Sequence, residues 1–170
     1  MVVAEKKKVK NVPEGYSAVT PWIISPDSAR LITFLTKAFG AEEIEGSRMV
    51  SPEGIITHVE VRVNDAVVML FDAGRSWPQT PAFIRLFVDD AEKSYEKALN
   101  AGARSISKPT VFSFGDTICR VADPFGNIWW LQEHSDEEMT PNDVDGKKAM
   151  RYFMDSLNSE LSKRSLPPTL

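Results

Sequence analysis

The sequence holds one cysteine, Cys119, no surplus of positive charge, and no apolar run near the roughly 20 residues that span a bilayer. A lone cysteine excludes an intrachain disulfide and makes a reducing cytoplasm the expected setting. The missing apolar run argues against a membrane-spanning helix. With 20 Lys and Arg against 24 Asp and Glu, the net charge of −4 argues against nucleic acid as a general partner, because phosphate binding needs a basic surface. The N-terminal stretch is basic at Lys6, Lys7, Lys8 and Lys10, yet no apolar segment follows, so it reads as a solvated arm and not a secretory signal. What is present fits one water-soluble domain with a core: 170 residues, 42% of them hydrophobic and 26% charged.

Three zones are legible: a polar arm over 1–15, ending in Pro13 and Gly15, a patterned zone over 16–134, and an extension over 135–170. In the patterned zone Ser17 to Ile24 reads as a strand. Ser25 before Pro26 suggests an N-cap with proline in the first turn. Leu31, Ile32, Leu35 and Phe39 then share one helix face, and Gly40 closes the helix. Ile56 to Val63 alternates strictly, with Val59, Val61 and Val63 on one side and His58, Glu60 and Arg62 on the other. The turn signal Asn64-Asp65 returns the chain as Ala66 to Phe71. The pattern then restarts. Ala82 to Val88 reads as a strand, Asp89-Asp90 caps a helix to Asn100, and Gly102 ends it. Thr117 to Ala122 and Ile128 to His134 pair across Asp123-Pro124-Phe125-Gly126.

Asp27, Ala29, Gly40 and Ala41 recur as Asp89, Ala91, Gly102 and Ala103, each 62 positions on. Two unrelated strand–helix units of similar length are the alternative, but matched start and stop signals favour a duplicated module. Consecutive strands after each helix argue against a doubly wound parallel sheet. The expected fold class is α+β, with two βαβββ modules over 16–72 and 81–134.

The residues also carry a resemblance. Pro21-Trp22-Ile23-Ile24 with the helix end Phe39-Gly40-Ala41 resembles the opening of glyoxalase and bleomycin-resistance proteins, the vicinal oxygen chelate superfamily. Val88-Asp89-Asp90-Ala91, the end Ala101-Gly102-Ala103, and Asp123-Pro124-Phe125-Gly126-Asn127 with Trp129 resemble its second half, most of all the PhnB-like branch. The resemblance implies paired βαβββ modules curling around a shared cleft, usually within a homodimer. It also implies a metal held by His, Glu or Gln on the first and last strand of each module. Here those positions fall near Thr20, Met69, Phe83 and Trp130, which are not a ligand set for a divalent ion. No metal or other cofactor is therefore expected, and Lewis-acid chemistry is in doubt.

If the valines pack on the helices, the opposite sheet face carries His58, Glu60 and Arg62, together with Trp22, Met69, Phe83, Arg85, Ile118, Arg120 and Trp130. Aromatic walls with a few charges are the usual make-up of a small-molecule pocket. The expected ligand-binding set is Trp22, Arg62, Phe83, Arg85, Arg120 and Trp130, and the acid–base candidates are His58 and Glu60. Plainer alternatives stand beside these: a solvated strand face at His58-x-Glu60-x-Arg62, core packing for Phe83 and Trp130, and an inert buried thiol at Cys119. The leading expectation is a metal-independent small-molecule binder. A lyase, isomerase or dioxygenase-like enzyme, using a relocated metal or His58 and Glu60, is the alternative. A structural dimer is a third. Met150, Phe153, Met154, Leu157 and Leu161 at helical spacing give Lys147 to Arg164 an apolar face that is expected to pack on its own domain or on a second copy, with binding to another protein as the alternative.

Overall fold

The computed structural model describes residues 10–137, 139–140 and 144–164. Most of the expected N-terminal arm, and parts of the extension, lie outside the described residues.

The first module runs β1 (Trp22–Ser25), α1 (Ser28–Phe39), two short strands β2 (Glu42–Glu43) and β3 (Met49–Val50), then β4 (Ile56–Val63) and β5 (Ala66–Asp72). The second runs β6 (Phe83–Phe87), α2 (Ala91–Asn100), β7 (Arg104–Val111), β8 (Thr117–Ala122) and β9 (Ile128–Glu133). Each sheet is mixed. The order is β1-β5-β4-β2 in the first, with β3 also on β4, and β6-β9-β8-β7 in the second. Among the described residues only β1–β5 and β6–β9 run parallel. Two modules of this kind are what the duplicated pattern requires.

The capping chemistry refines the repeat. Asp27, not Ser25, is the N-cap of α1, and its carboxylate accepts from Arg30 N at 2.9 Å. Asp90, not Asp89, caps α2 through Lys93 N at 2.8 Å. The true caps are thus 63 apart, although Gly40 and Gly102 stay 62 apart, because α2 is shorter than α1. The end of each last strand also supports its own helix: Asp72 accepts from Ser28 N at 2.7 Å, and Glu133 from Ala91 N at 2.9 Å. A carboxylate at a helix N-terminus satisfies an orphan donor and the positive end of the dipole.

The helices contact each other, and each packs on the inner face of its own sheet, so the modules share one core. Val59, Val61 and Val63 enter it from β4, and Cys119 and Val121 from β8, as the alternation predicts. Phe39 of α1 reaches Trp129 of β9, with ring centroids 5.0 Å apart, which welds one module to the other.

The turn after β8 explains the most motif-like stretch of the chain. The buried Asp123 carboxylate accepts from Phe125 N, Asn127 N, Asn127 Nδ2 and Trp129 Nε1 at 2.7–3.0 Å. Asn127 Oδ1 in turn accepts from Ala82 N at 2.9 Å, tying the turn to the start of β6. Gly126 has φ +88°, a conformation that disfavours a Cβ. Asp-Pro-Phe-Gly-Asn-x-Trp therefore holds the fold.

The extension forms α3 (Gly146–Leu161), which lies over the outer face of the second sheet. Phe153 and Ala149 pack on Phe112, Ile118 and Trp130. Arg104 binds Glu160 at 2.7 Å, and Tyr152 Oη accepts from Lys108 N at 2.8 Å. Met150, Met154 and Leu161 remain exposed on the other side of the helix.

Candidate functional site

Each sheet commits one face to the common core and leaves the other outside it, so the candidate residues fall into two groups. On the first sheet the strand register sets Trp22 beside Met69 and Met69 beside Glu60. His58 and Arg62 flank Glu60 on β4. On the second sheet Arg85 lies beside Trp130, and Trp130 beside Arg120. Among the described residues, no side-chain hydrogen bond, ion pair or ring contact joins the two groups. Within one chain they are two walls.

The first wall is open and aromatic. Trp22 is 55% exposed and meets His58 edge-on at 5.9 Å and Phe71 at 5.6 Å. Phe71 continues the ladder to the exposed Trp77 at 6.2 Å. His58 Nε2 lies 3.3 Å from Glu60 Oε1, and the other Glu60 oxygen accepts from the Tyr16 hydroxyl. That bond to a carboxylate holds the Tyr16 phenol above its ordinary pKa. Arg62 donates to Gly15 O at 3.4 Å. Tyr16 and Gly15, at the edge of a segment expected to be solvated, thus fold onto the site. No periodicity marks Tyr16; only its place between Gly15 and the first strand hints at a docked residue.

On the second wall Phe83 and Phe87 are about half exposed, and Arg85 stands 5.7 Å from the rings of both Phe87 and Trp130. The rest lies beneath α3. Arg120 is 1% exposed, 3.4 Å from the Phe153 ring centroid and 4.5 Å from that of Trp130, and it donates to Phe153 O at 2.7 Å. Burial pulls its pKa down to about 10, so it remains a cation at neutral pH. Arg120 and Trp130, expected on a wall facing a ligand, lie beneath α3, whose target could not be read from its own periodicity.

The ligand positions expected for a metal also shift. Thr20 precedes β1; by register the residue beside Met69 is Trp22, and the one beside Trp130 is Arg85. Neither the expected set nor the corrected one offers carboxylate, imidazole or amide donors, and among the described residues no group of three or more His, Cys, Asp or Glu is placed to hold a metal. The residues present do not fit the superfamily's ion.

Two other features are structural. Asp116 would be raised by burial, but Ser135 N, Gln132 and His134 together outweigh that and hold it below the ordinary carboxylate range. Cys119 is fully buried, and desolvation pushes its thiol up to about 12, so it is unreactive near neutrality. Cavities touch the walls only at their ends: one of about 430 Å³ includes Phe87 of the second wall. One of about 300 Å³ sits at the seam between modules, lined by Ile24, Arg75, Trp77 and Phe125 among others. A wider polar groove of about 830 Å³ runs between the end of α1 and the start of α2.

Residues 17–131, most of the chain, match the Glyoxalase/Bleomycin resistance protein/Dioxygenase superfamily. The chain belongs to this superfamily. Uncharacterized proteins of Mycobacterium bovis and Mycobacterium tuberculosis are 36% identical over 125 residues, covering 67% of this chain and 81% and 72% of theirs. Among solved structures, TioX from Micromonospora sp. ML1 superposes with a TM-score of 0.57 at 19% identity, over 70% of this chain and 99% of that one. The fosfomycin resistance protein FosX from Mesorhizobium loti gives 0.52 at 16% identity, over 70% and 92%. At such identities the likeness to solved structures establishes the superfamily fold and nothing finer. Among the described residues no helix is long and apolar enough to cross a membrane.

Proposed function

We propose that this superfamily member binds a small, flat, anionic molecule without using a metal. The observation that carries this is the placement of the exposed aromatics. Trp22, Phe83 and Phe87 are each about half exposed on the outer faces of the two sheets, beside His58, Arg62 and Arg85. Large aromatics left in water on a concerted face mark a recognition surface. A planar ligand stacks on the rings, and its negative edge meets an arginine. Stacking is worth about 0.5–1.5 kcal/mol per ring pair beyond burial. A charge-assisted bond adds about 1.5–3 kcal/mol. With burial of the ligand's apolar faces, these place affinity at about the micromolar level.

The two walls form a cleft when a second copy sets its second sheet opposite the first sheet of its partner. Homodimerisation is thus part of the proposal, as is a cytoplasmic location for a protein with one buried thiol. The PhnB-like branch remains the subgroup that the Asp123 turn suggests. The test is intrinsic tryptophan fluorescence during titration with aromatic acids and aromatic antibiotics. We expect at least one compound to quench or shift the emission, and Trp22→Ala or Arg85→Ala to weaken it about tenfold. A panel without effect, or a binder indifferent to both substitutions, would refute the site.

The Tyr16–Glu60–His58 chain of contacts favours a second reading. An imidazole oriented by a carboxylate is the arrangement of a general base, and it points to proton transfer on the same ligand. His58→Gln abolishing turnover while preserving binding would support that chemistry. Unchanged turnover would exclude it.

A further inference from the structure

Three side chains in one cross-strand row of the second sheet each bury a polar atom that has no partner among the described residues: Ser107 Oγ, Arg120 Nε and Trp130 Nε1. Ser107 pairs with Arg120 across β7–β8, and Arg120 with Trp130 across β8–β9. Directly opposed residues on antiparallel strands share a face and stand about 4.5–5.5 Å apart. Ser107 is fully buried and Arg120 nearly so. One other such atom, Ser28 Oγ, lies elsewhere, so three of the four fall in a single row. Buried polar atoms are normally bonded, and a buried guanidinium normally has a carboxylate. Among the described residues no ion pair reaches Arg120, and the buried carboxylates of the second module and α3 have other partners. Glu160 holds Arg104 and Arg164, Asp116 holds Gln132 and His134, and Glu133 caps α2.

We propose that Ser107, Arg120 and Trp130 form a binding site for a small oxoanion, a carboxylate or a phosphate-type group, with α3 as its lid. All three can donate, and Arg120 brings the only full charge, which is the complement an oxoanion needs. Arg85, at 5.7 Å from the Trp130 ring, adds positive potential at the rim. Phe153 packs over the guanidinium, and its carbonyl accepts the one side-chain hydrogen bond that Arg120 makes among the described residues. Entry therefore requires α3 to shift, and the anion then replaces a neutral carbonyl with a charged acceptor. This oxoanion site rests on Ser107, Arg120 and Trp130 and not on Trp22, so it and the exposed aromatic wall can fail separately.

Calorimetric titration of the full chain with inorganic phosphate and with acetate, neither of which offers a ring to stack, tests it, paired with thermal unfolding of the protein alone. We expect at least one of the two anions to bind with a stoichiometry of one per chain. Binding phosphate alone identifies a phosphate-type site, and binding acetate a carboxylate site. Ser107→Ala should weaken binding about tenfold. Arg120→Met should abolish it without lowering the unfolding midpoint, because an apolar isostere relieves a buried unpaired charge. Phe153→Leu, which loosens the lid, should tighten it, and Trp22→Ala should leave it unchanged. The proposal falls if neither anion binds, if binding survives both Ser107→Ala and Arg120→Met, or if Trp22→Ala removes it. It falls also if Arg120→Met unfolds the protein or lowers its midpoint, since Arg120 is then a structural brace.

Discussion

At the scale of single residues, resemblance and role separate. Asp123 sits in the most recognisable stretch of the chain, yet its four accepted hydrogen bonds make it the keystone of a turn. Asp123→Ala leaves buried donors on Asn127 and Trp129 unpaired and should lower stability by about 3–5 kcal/mol, read as a shift in denaturant midpoint. A loss under about 1 kcal/mol would show that the donors find other partners. The faces of Val59, Val61, Cys119 and Val121 were legible in the sequence because alternation has a period of two and one side is apolar. Partners across the chain were not. Nothing local to Glu60 announces Tyr16, and nothing local to Arg120 announces Phe153, because the partners lie 44 and 33 positions away in the chain.

Among the elements, those with strong signals were legible and those without were not. The helices are marked by Asp at the N-cap and Gly at the end, and the β4–β5 hairpin by Asn64, whose φ of +53° suits that turn. β2, β3 and β7 escaped location. The first two are two-residue fragments, and β7 carries Lys108-Pro109 on a sheet edge, where polar residues and proline are tolerated and alternation fades. Helix α3 was legible as amphipathic, but its docking face was not. Its anchor is Glu160, held below the ordinary carboxylate range first by its bond to Arg104 and then by Arg164, against burial. A carboxylate depressed in the folded state contributes stability that is full above its unfolded value, near 4.3. That contribution is lost as pH falls through the lower folded value. We expect α3 to loosen below about pH 4, with a change in Trp130 emission, and Glu160→Gln to show the loosened emission already at pH 7. A Glu160→Gln protein identical to the wild type at pH 7 would show that apolar packing alone seats the helix.

At the scale of the whole molecule, one core joins two modules by their helices and leaves two sheet faces outward. The duplicated signals made this architecture legible, although how each outer face is covered depends on contacts that no repeat encodes: Tyr16 on the first and α3 on the second. Exposed Trp22, Phe83 and Phe87, with Met150, Met154 and Leu161 on α3, are much apolar surface for a solitary chain. Sedimentation at micromolar concentration should give twice the chain mass of 19.0 kDa, and a persistent monomer would remove the second wall from the proposed cleft. On the proposed reading this superfamily member binds a flat anion with side chains alone. Calorimetric titration of chelator-treated, metal-free protein with the aromatic acid that perturbs its fluorescence tests this most directly. We expect saturable binding at about the micromolar level, unchanged when Zn, Ni, Mn or Fe is returned. Binding that appears only after the metal is restored would contradict it.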